Sequence, residues 1–180
     1  MTKESNSNTP FTIITASLNH GRFLGDCLES VARQSGVSLE HFVIDGGSTD
    51  DSAEVAAKFP HATWIQEADE GMSDAINKGF DRAKGEWVMW LNADDRLKPG
   101  SLEKMVAELD KTNADVVYGD WDFIDEKGGN LKACDRTPLV VVRACASSLL
   151  HWLDCCFLPA LDGDRCGPPA AKGFSLCDGW

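Results

Sequence analysis

The fold is decided by a strand–helix–strand pattern near the start of the chain, in the stretch FTIITASLNHGRFLGDCLESVARQSGVSLEHFVID, from Phe11 to Asp45. FTIITAS is rich in apolar and β-branched residues and predicts a buried strand. From Phe23 to Ala32 apolar residues recur every three or four positions, which predicts an amphipathic helix that Gly36 can end. EHFVID predicts a second strand. This order of elements forms a βαβ unit, in which the two strands are parallel.

The same alternation continues along the chain and extends the sheet. SAEVAAKF predicts a short helix, ATWIQ a third strand, and the segment from Met72 to Ala83 a helix with one apolar face. EWVMWL predicts a fourth strand, residues 102–109 a fourth helix, and DVVYG a fifth strand. DWDFIDEKGGNL then predicts a hairpin with its turn at Lys127 to Asn130. We therefore expect an α/β fold with a mainly parallel sheet flanked by helices.

Composition and charge exclude several classes of protein. The 180-residue chain is 43% hydrophobic and 26% charged, as is usual for a soluble globular domain. Its formal net charge of -12 argues against a nucleic-acid partner, because phosphate backbones bind basic surfaces. The segment closest to a membrane span, Leu139 to Leu161, is interrupted by Arg143, His151 and Asp154.

The N-terminal arm MTKESNSNTP lacks the apolar stretch of a secretory signal, so we expect a cytoplasmic protein whose cysteines are thiols. The inner face of the membrane stays open as an alternative location. Six of the seven cysteines follow residue 130, and none form the C-x-x-C pairs typical of zinc sites. Neither a P-loop nor a G-x-G-x-x-G motif is present.

Polar clusters follow each of the first four predicted strands. They are TASLN, DGGSTDD, EADEG and NADD, in chain order. The carboxyl ends of parallel strands lie along one edge of a sheet, and ligands of open α/β sheets bind at that edge. The four clusters therefore predict a binding crevice.

The sharpest of these clusters ends in two adjacent carboxylates, Asp94 and Asp95. Like charges this close raise each other's pKa unless a cation relieves them. Mg²⁺ and Mn²⁺ prefer oxygen ligands and commonly combine one or two carboxylates with substrate phosphates. The pair thus predicts a divalent metal site, with a solvated turn as the alternative.

The other clusters have two interpretations each. Asp45 could accept hydrogen bonds from a base or ribose, whereas the residues after it could equally form a tight turn and a helix cap. Asp69 precedes a helix, where negative charge is favourable in any case. Asp74 and Asn77 share one face near the start of that helix and could bind a sugar or phosphate, and Lys78 is expected at the surface.

With these motifs in place, the chain resembles the family 2 glycosyltransferases of the GT-A fold. The resemblance rests on TIITASLNHGRFLGDCLESVARQS, FVIDGGSTDDS, EADEGMSDAINKGFDRAKGEWVMWLNADD and VVYGD, in the family's order and spacing, over about residues 11 to 120. It implies a GT-A-like, nucleotide-diphospho-sugar transferase type of fold. It also implies a UDP-, GDP- or dTDP-linked sugar as donor, a divalent metal, Mg or Mn, and a saccharide or lipid-linked acceptor in polysaccharide or cell-envelope synthesis.

The resemblance also assigns roles to single positions. The metal would be bound by Asp95, with Asp94 approaching the metal or the ribose. Residues expected to bind the nucleotide-sugar are Thr15, Ala16, Ser17 and Asn19 beside the nucleotide, Asp45 at the base, Asp74 and Asn77 near the diphosphate sugar, and Glu67, Asp69 and Asn92. Ala16 departs from the family's usual T-P-T-Y-N-like run.

The end of the chain does not follow the family. We divide the chain into a polar arm (1–10), a GT-A nucleotide-sugar-binding domain (11–138) and an atypical segment (139–180), an incomplete acceptor region from a truncated or frame-shifted ending. An inverting transferase needs a carboxylate base to deprotonate the acceptor. The tail offers Asp154, Asp162 and Asp164, and nothing selects one, so the catalytic residue is unassigned. Two functions stay open: a metal-dependent, inverting glycosyltransferase that can associate peripherally with a membrane, or a donor-binding module without turnover.

Overall fold

The alternation of strands and helices predicted from the sequence is present in the computed structural model, which describes residues 11–111 and 116–143. In chain order the elements are β1 (Phe11–Ser17), α1 (Gly21–Ala32), β2 (Leu39–Asp45), α2 (Ser52–Ala56), β3 (Ala62–Gln66), α3 (Met72–Phe80), β4 (Trp87–Trp90), α4 (Ser101–Lys111), β5 (Val116–Ile124) and β6 (Asn130–Arg143). The strands form one sheet in the order β3-β2-β1-β4-β6-β5. The predicted α/β class is confirmed.

Four neighbouring strands of this sheet are parallel. β1 pairs with β2 and with β4, and β2 pairs with β3. Both faces of the central strand are covered: Ile13 packs with residues of α1 and α4, whereas Ile14 packs with Ala75 of α3. A parallel strand buried on both faces is a nearly continuous apolar run, here FTII, and the hydroxyl of its one polar residue, Thr12, is bonded to Glu40 and to the Gly85 N–H.

The last two strands form the antiparallel part of the sheet. β6 is antiparallel to both β4 and β5 and lies between them. The predicted hairpin is present, with Asp125 N–H bonded to the Gly129 carbonyl at 2.9 Å across the turn. Residues 139–143, which the sequence analysis places in the atypical segment, belong to β6: Val140 to Val142 are β-branched, which favours a strand, and Val141 and Val142 pair with Met89 and Val88 of β4. The polar arm and the rest of that segment lie outside the described residues.

A buried histidine lies at the centre of the sheet. His41, on β2, is 1% exposed, and its Nε2 lies 2.9 Å from Thr15 Oγ1 on β1. Burial, with a smaller contribution from neighbouring His61, lowers the pKa of His41 to about 3. The ring is therefore neutral at neutral pH.

Among the helices of the described residues, none has the length and apolar character needed to cross a bilayer.

We expect Gly79→Ala to destabilise the fold, because a Cβ at Gly79 would lie 2.3 Å from Cγ2 of buried Ile14. Overpacking of this kind costs about 1–3 kcal/mol in the free energy of unfolding, measured by urea denaturation. The matched control is Gly25→Ala in α1, where the new Cβ would meet only Val55 Cγ1 at 3.5 Å. That variant should be neutral or gain about 0.5–1 kcal/mol from helix propensity. Equal losses in both variants would contradict the close packing of α3 on β1.

We also expect the fold to lose stability in mild acid because of His41. The unfolded chain binds a proton near the ordinary pKa of 6.5, whereas the folded ring does so only near 3. Stability contributed by the neutral ring is therefore complete above about pH 6.5 and is lost as the pH falls toward 3, by about 2 kcal/mol at pH 5. Urea denaturation of the parent and of His41→Gln across this range measures the difference. Identical pH slopes would show that His41 is not buried as a neutral ring.

Candidate functional site

The four polar clusters lie at one edge of the sheet, as predicted. The register of β1 and β2 places Ser17 opposite Asp45, and that of β2 and β3 places Asp45 opposite Gln66. The strands therefore end level with one another, and their loops leave the sheet side by side. Glu67 N–H continues this alignment by donating to the Asp45 carbonyl at 2.9 Å.

The loops after β1 and β2 are bonded together through Asn19. Its backbone N–H donates to Ser48 Oγ at 2.7 Å, and its Oδ1 accepts the Thr49 N–H at 2.9 Å. Asn19 has φ of +56°, a left-handed conformation that asparagine tolerates better than most residues. Asn19 thus joins two loops at the site, and its contact with a nucleotide stays a prediction.

Asp45 is fully buried, and its carboxylate organises the turn that follows β2. Oδ2 accepts the N–H groups of Gly47 and Ser48 at 3.0 and 2.7 Å, and Oδ1 accepts the Ser48 hydroxyl. The turn chemistry left open by the sequence is thus present here. The proposed contact between Asp45 and a base stays a prediction. In it the base would donate to a carboxylate that already accepts hydrogen bonds from Gly47 and Ser48.

The loop after β3 brings further carboxylates against the same turn. Asp69 lies so close to Gly46 that a Cβ at Gly46 would be 2.5 Å from Asp69 Oδ2. Asp69 Oδ1 accepts the Gly71 N–H at 2.9 Å, just before α3 begins. Glu67 pairs with Arg82 at 2.9 Å, and its other oxygen is buried with no partner among the described residues. Glu67 and Asp69 therefore help to fix the loop backbone.

The last turn of α3 contributes a cation, Lys78, which the sequence analysis expected only at the surface. Lys78 Nζ lies 2.8 Å from Asp74 and donates to the Ala68 carbonyl at 2.6 Å. The hydrogen bond from Lys78 is the largest cause that lowers the pKa of Asp74, and it raises the pKa of Lys78 in turn. The spacing of four residues was the available signal, since i,i+4 side chains meet on a helix. Asn77 Oδ1, one turn into α3, is buried with no partner in the described structure.

The three predicted contacts at the end of β1 divide between its two faces. Thr15 points into the core toward His41, and Ala16 packs on the opposite face with the α3 cluster. Ser17 is 4% exposed, and its hydroxyl has no hydrogen-bond partner among the described residues. A buried hydroxyl without a partner is uncommon in proteins, which makes Ser17 the member of the set best suited to meet a ligand.

The acidic pair after β4 is exposed, unlike Asp45. Asn92 fixes Asp95 in two ways: its Nδ2 donates to Asp95 Oδ2 at 2.9 Å, and its carbonyl accepts the Asp95 N–H at 3.1 Å. Surrounding protein atoms raise the pKa of Asp95 by desolvation although the side chain still reaches solvent. The Asn92 hydrogen bond opposes this rise and the Asp94 carboxylate adds to it.

The donor set of this turn fits a cation that is bound only in part by the protein. Within residues 11–111 and 116–143 no group of three or more His, Cys, Asp or Glu side chains is placed to hold a metal ion. Two carboxylates are nevertheless the usual protein share of a Mg²⁺ site completed by water and substrate phosphates. Asp94 and Asp95 match that incomplete, oxygen-only arrangement.

A fifth loop, the tip of the β5–β6 hairpin, is held beside the acidic pair by ion pairs. Arg22 at the start of α1 binds Glu126 in the tip at 2.6 Å, and Lys98 binds Asp122, in β5 just before the tip, at 2.7 Å. Each exposed pair contributes little to stability, typically about 0–1 kcal/mol, and is screened by salt. Their effect is to place the hairpin tip, which sequence reasoning did not include, at the border of the site.

Comparison with known families identifies this arrangement. A family model described as "Glycosyl transferase family 2" matches residues 12–153. A "PGL/p-HBAD biosynthesis glycosyltransferase" of Mycobacterium bovis (strain BCG / Pasteur 1173P2) is 37% identical over 117 residues, which cover 61% of this chain and 46% of that protein. "Glycosyltransferase GlyG" of Streptococcus pneumoniae is 31% identical over 124 residues, covering 66% and 41%. The chain thus spans less than half the length of these relatives.

Solved structures share the fold. Residues 1-349 of TarS of S. aureus, in complex with UDP-GlcNAc, superpose with a TM-score of 0.66 at 20% identity, over 81% of this chain and 47% of that one. The mannosyltransferase PcManGT of Pyrobaculum calidifontis, in complex with GDP-Man and Mn²⁺, gives a TM-score of 0.53 at 21% identity, over 61% of this chain and 34% of that one. The GT-A-like fold expected from the motifs is therefore confirmed.

We expect Asp45→Asn to destabilise the protein, because an amide cannot accept hydrogen bonds at both ends. One of the groups now bound by Asp45, Gly47 N–H or the Ser48 hydroxyl and N–H, would lose its acceptor at a cost of about 1–3 kcal/mol. Asp51→Asn is the control: it removes the same charge from the same loop, at an exposed residue whose side chain makes no cap hydrogen bond. Thermal unfolding compares the two variants. Equal melting temperatures would contradict the assigned role of Asp45.

Proposed function

Because the chain belongs to glycosyl transferase family 2, we propose that it transfers a sugar from a nucleotide-diphosphate donor to a saccharide or lipid-linked acceptor, with a divalent cation and with inversion at the anomeric carbon. The observation that carries the proposal is the meeting of four strand-end loops at one edge, with the exposed carboxylates of Asp94 and Asp95 among them. Ligands of open α/β sheets bind at this edge.

In the proposed site the residues after β4, Asn92 to Asp95, form an acidic turn that binds the diphosphate through a cation. Asp95 and Asp94 would hold Mg²⁺ or Mn²⁺, which when bound neutralises negative charge on the phosphates of the leaving nucleotide. Asn92 keeps the Asp95 carboxylate oriented through the 2.9 Å hydrogen bond from its amide. Without a cation, two adjacent carboxylates would repel a pyrophosphate, so the same pair that enables binding with metal should prevent it without metal.

Donor recognition falls to polar atoms that the fold leaves without partners. Ser17 Oγ and Asn77 Oδ1 are both buried and unpaired among the described residues. A ligand hydroxyl or phosphate oxygen would satisfy the Ser17 hydroxyl, and a sugar hydroxyl would satisfy the Asn77 oxygen. Burial has already removed water from the Ser17 hydroxyl and the Asn77 oxygen, so a ligand that bonds to them regains a hydrogen bond at each. This favours a ligand that carries both a phosphate and a sugar.

The acceptor side is proposed from the relatives alone. The Mycobacterium relative acts in PGL/p-HBAD biosynthesis by its name, which favours glycolipid or polysaccharide assembly at the cell envelope and a place at the cytoplasmic face of the membrane. A donor-binding module without turnover is the second candidate, because the described residues supply the strand-end loops proposed for the donor and no assigned acceptor base. Sugar transfer or donor hydrolysis supports the enzyme, whereas metal-dependent UDP binding with neither reaction supports the module.

We expect UDP or GDP to bind with Mn²⁺ present and at least about tenfold more weakly after the metal is removed with EDTA, because the acidic turn repels the diphosphate. Asp95→Asn should reproduce that loss in the presence of metal. Isothermal titration of UDP and GDP with and without Mn²⁺ measures both effects. The matched control is Asp110→Asn, which removes an exposed carboxylate near the end of α4 and should bind like the parent.

Two results would overturn the proposal. Equal nucleotide affinity with and without metal in the parent would remove the cation from the site. Loss of affinity in Asp110→Asn equal to that in Asp95→Asn would show a general effect of net charge, not a local one.

A further inference from the structure

A row of buried polar side chains runs through the sheet to the underside of the acidic turn. His41 Nε2 lies 2.9 Å from Thr15 Oγ1, which lies 4.0 Å from Cys27 Sγ. The Cys27 thiol in turn donates to the Asn92 carbonyl at 3.4 Å. His41, Thr15 and Cys27 are each at most 1% exposed. The row therefore joins two strands, α1 and the turn after β4, and its first three members are shielded from water.

The chemistry of the end groups fixes the direction of every hydrogen bond in this row. The Asn92 carbonyl can only accept, so the Cys27 S–H must donate to it. Cys27 sulfur is then left to accept, and the Thr15 hydroxyl must donate to it. Thr15 oxygen consequently accepts from His41 Nε2–H, which requires the tautomer protonated at Nε2.

An independent feature of His41 agrees with this direction. Its Nδ1 is buried with no partner among the described residues. The ring is neutral because burial lowers its pKa to about 3, so only one of its nitrogens carries a proton. A proton on Nδ1 would be a buried N–H without an acceptor. The single Thr15 hydroxyl would then be the only donor for two acceptors, His41 Nε2 and Cys27 Sγ. A lone pair without a partner is the less costly arrangement.

Asn92 is where this row meets the proposed metal site. Its carbonyl accepts both the Cys27 thiol and the Asp95 N–H, at 3.4 and 3.1 Å. Its side-chain amide donates to Asp95 Oδ2 at 2.9 Å. A displacement of the Asn92 backbone therefore moves the backbone and the carboxylate of Asp95 together.

We propose that Thr15 and Cys27 are positioning residues for the acidic turn: a buried, one-directional row of hydrogen bonds from His41 through Thr15 and Cys27 to Asn92 orients the Asp95 carboxylate for a divalent cation. This inference rests on the proposed function, since it concerns the metal ligand named there. Cys27 and His41 are not metal ligands themselves, because both side chains are enclosed by the protein.

The first test compares Cys27→Ala, which removes the donor, with Cys27→Ser, which keeps one. Mn²⁺ affinity at saturating UDP is measured from the electron paramagnetic resonance of free Mn²⁺, and hydrogen exchange of the Asp95 amide is measured without any ligand. Cys27→Ala should weaken Mn²⁺ affinity about 2- to 10-fold and speed Asp95 exchange by a similar factor, the range of one lost hydrogen bond. Cys27→Ser should recover part of both.

Val31→Ala is the control for a loss of packing. Val31 is 1% exposed, lies one turn further along α1 and belongs to the same apolar cluster as Cys27. It should lower the melting temperature at least as much as Cys27→Ala and leave Mn²⁺ affinity and Asp95 exchange unchanged. If both variants change these readouts in proportion to their melting temperatures, Cys27 acts only through stability and the inference is wrong.

The second test determines the tautomer of His41, and so the direction of the hydrogen bonds, in the protein without ligands. The ¹⁵N chemical shifts of the His41 ring at neutral pH should show the tautomer protonated at Nε2. The tautomer protonated at Nδ1 would overturn the assigned direction, whatever the metal data show. If the parent binds UDP equally with and without Mn²⁺, the proposed function fails first. If the parent depends on Mn²⁺ but Cys27→Ala matches it in metal affinity and exchange, only the positioning inference fails.

Discussion

The structure depends on the level pairing of its parallel strands. Ser17 lies opposite Asp45 and Asp45 opposite Gln66, so the polar residues that follow each strand emerge together. A shift of one residue in either pair would turn every side chain of that strand to the other face and bury the wrong set. The register is held because β1 is apolar on both faces, with Ile13 against α1 and α4 and Ile14 against α3. The binding edge is therefore a consequence of the core.

Several carboxylates lie at this edge, and most of those that follow β2 and β3 have a hydrogen-bond or ion-pair partner. Asp45 is bound by its own turn, Asp69 by the Gly71 N–H, Asp74 by Lys78 and Glu67 by Arg82. These contacts account for much of the acidity without any ligand. The acidic pair after β4 is different, because Asp95 is bonded to a neutral amide and stands beside another carboxylate. A cation at this pair would offset the charge of both carboxylates and of a bound diphosphate.

Membership of glycosyl transferase family 2 and the GT-A-like fold are consistent with this distribution of charge. The chain covers less than half of its relatives, and the described residues correspond to the part that carries the strand-end loops. The β5–β6 hairpin, which Arg22 and Lys98 bind, borders the same edge. The described residues thus contain the elements proposed to bind the donor, and they leave the acceptor base unassigned.

The sequence by itself determined the order of strands and helices, the parallel half of the sheet and the clustering of polar residues at its carboxyl edge. Periodicity, turn residues and the handedness of βαβ crossovers are local properties, so residues such as FTIIT and NADD were sufficient. Only the tertiary structure decided which atoms meet across the sheet: the insertion of β6 between β4 and β5, the bond between Arg22 and Glu126, and the row from His41 to Asn92. The side-chain partners among them are 12 to 104 residues apart in the chain, and their pairing depends on the packing of the entire core rather than on any short pattern.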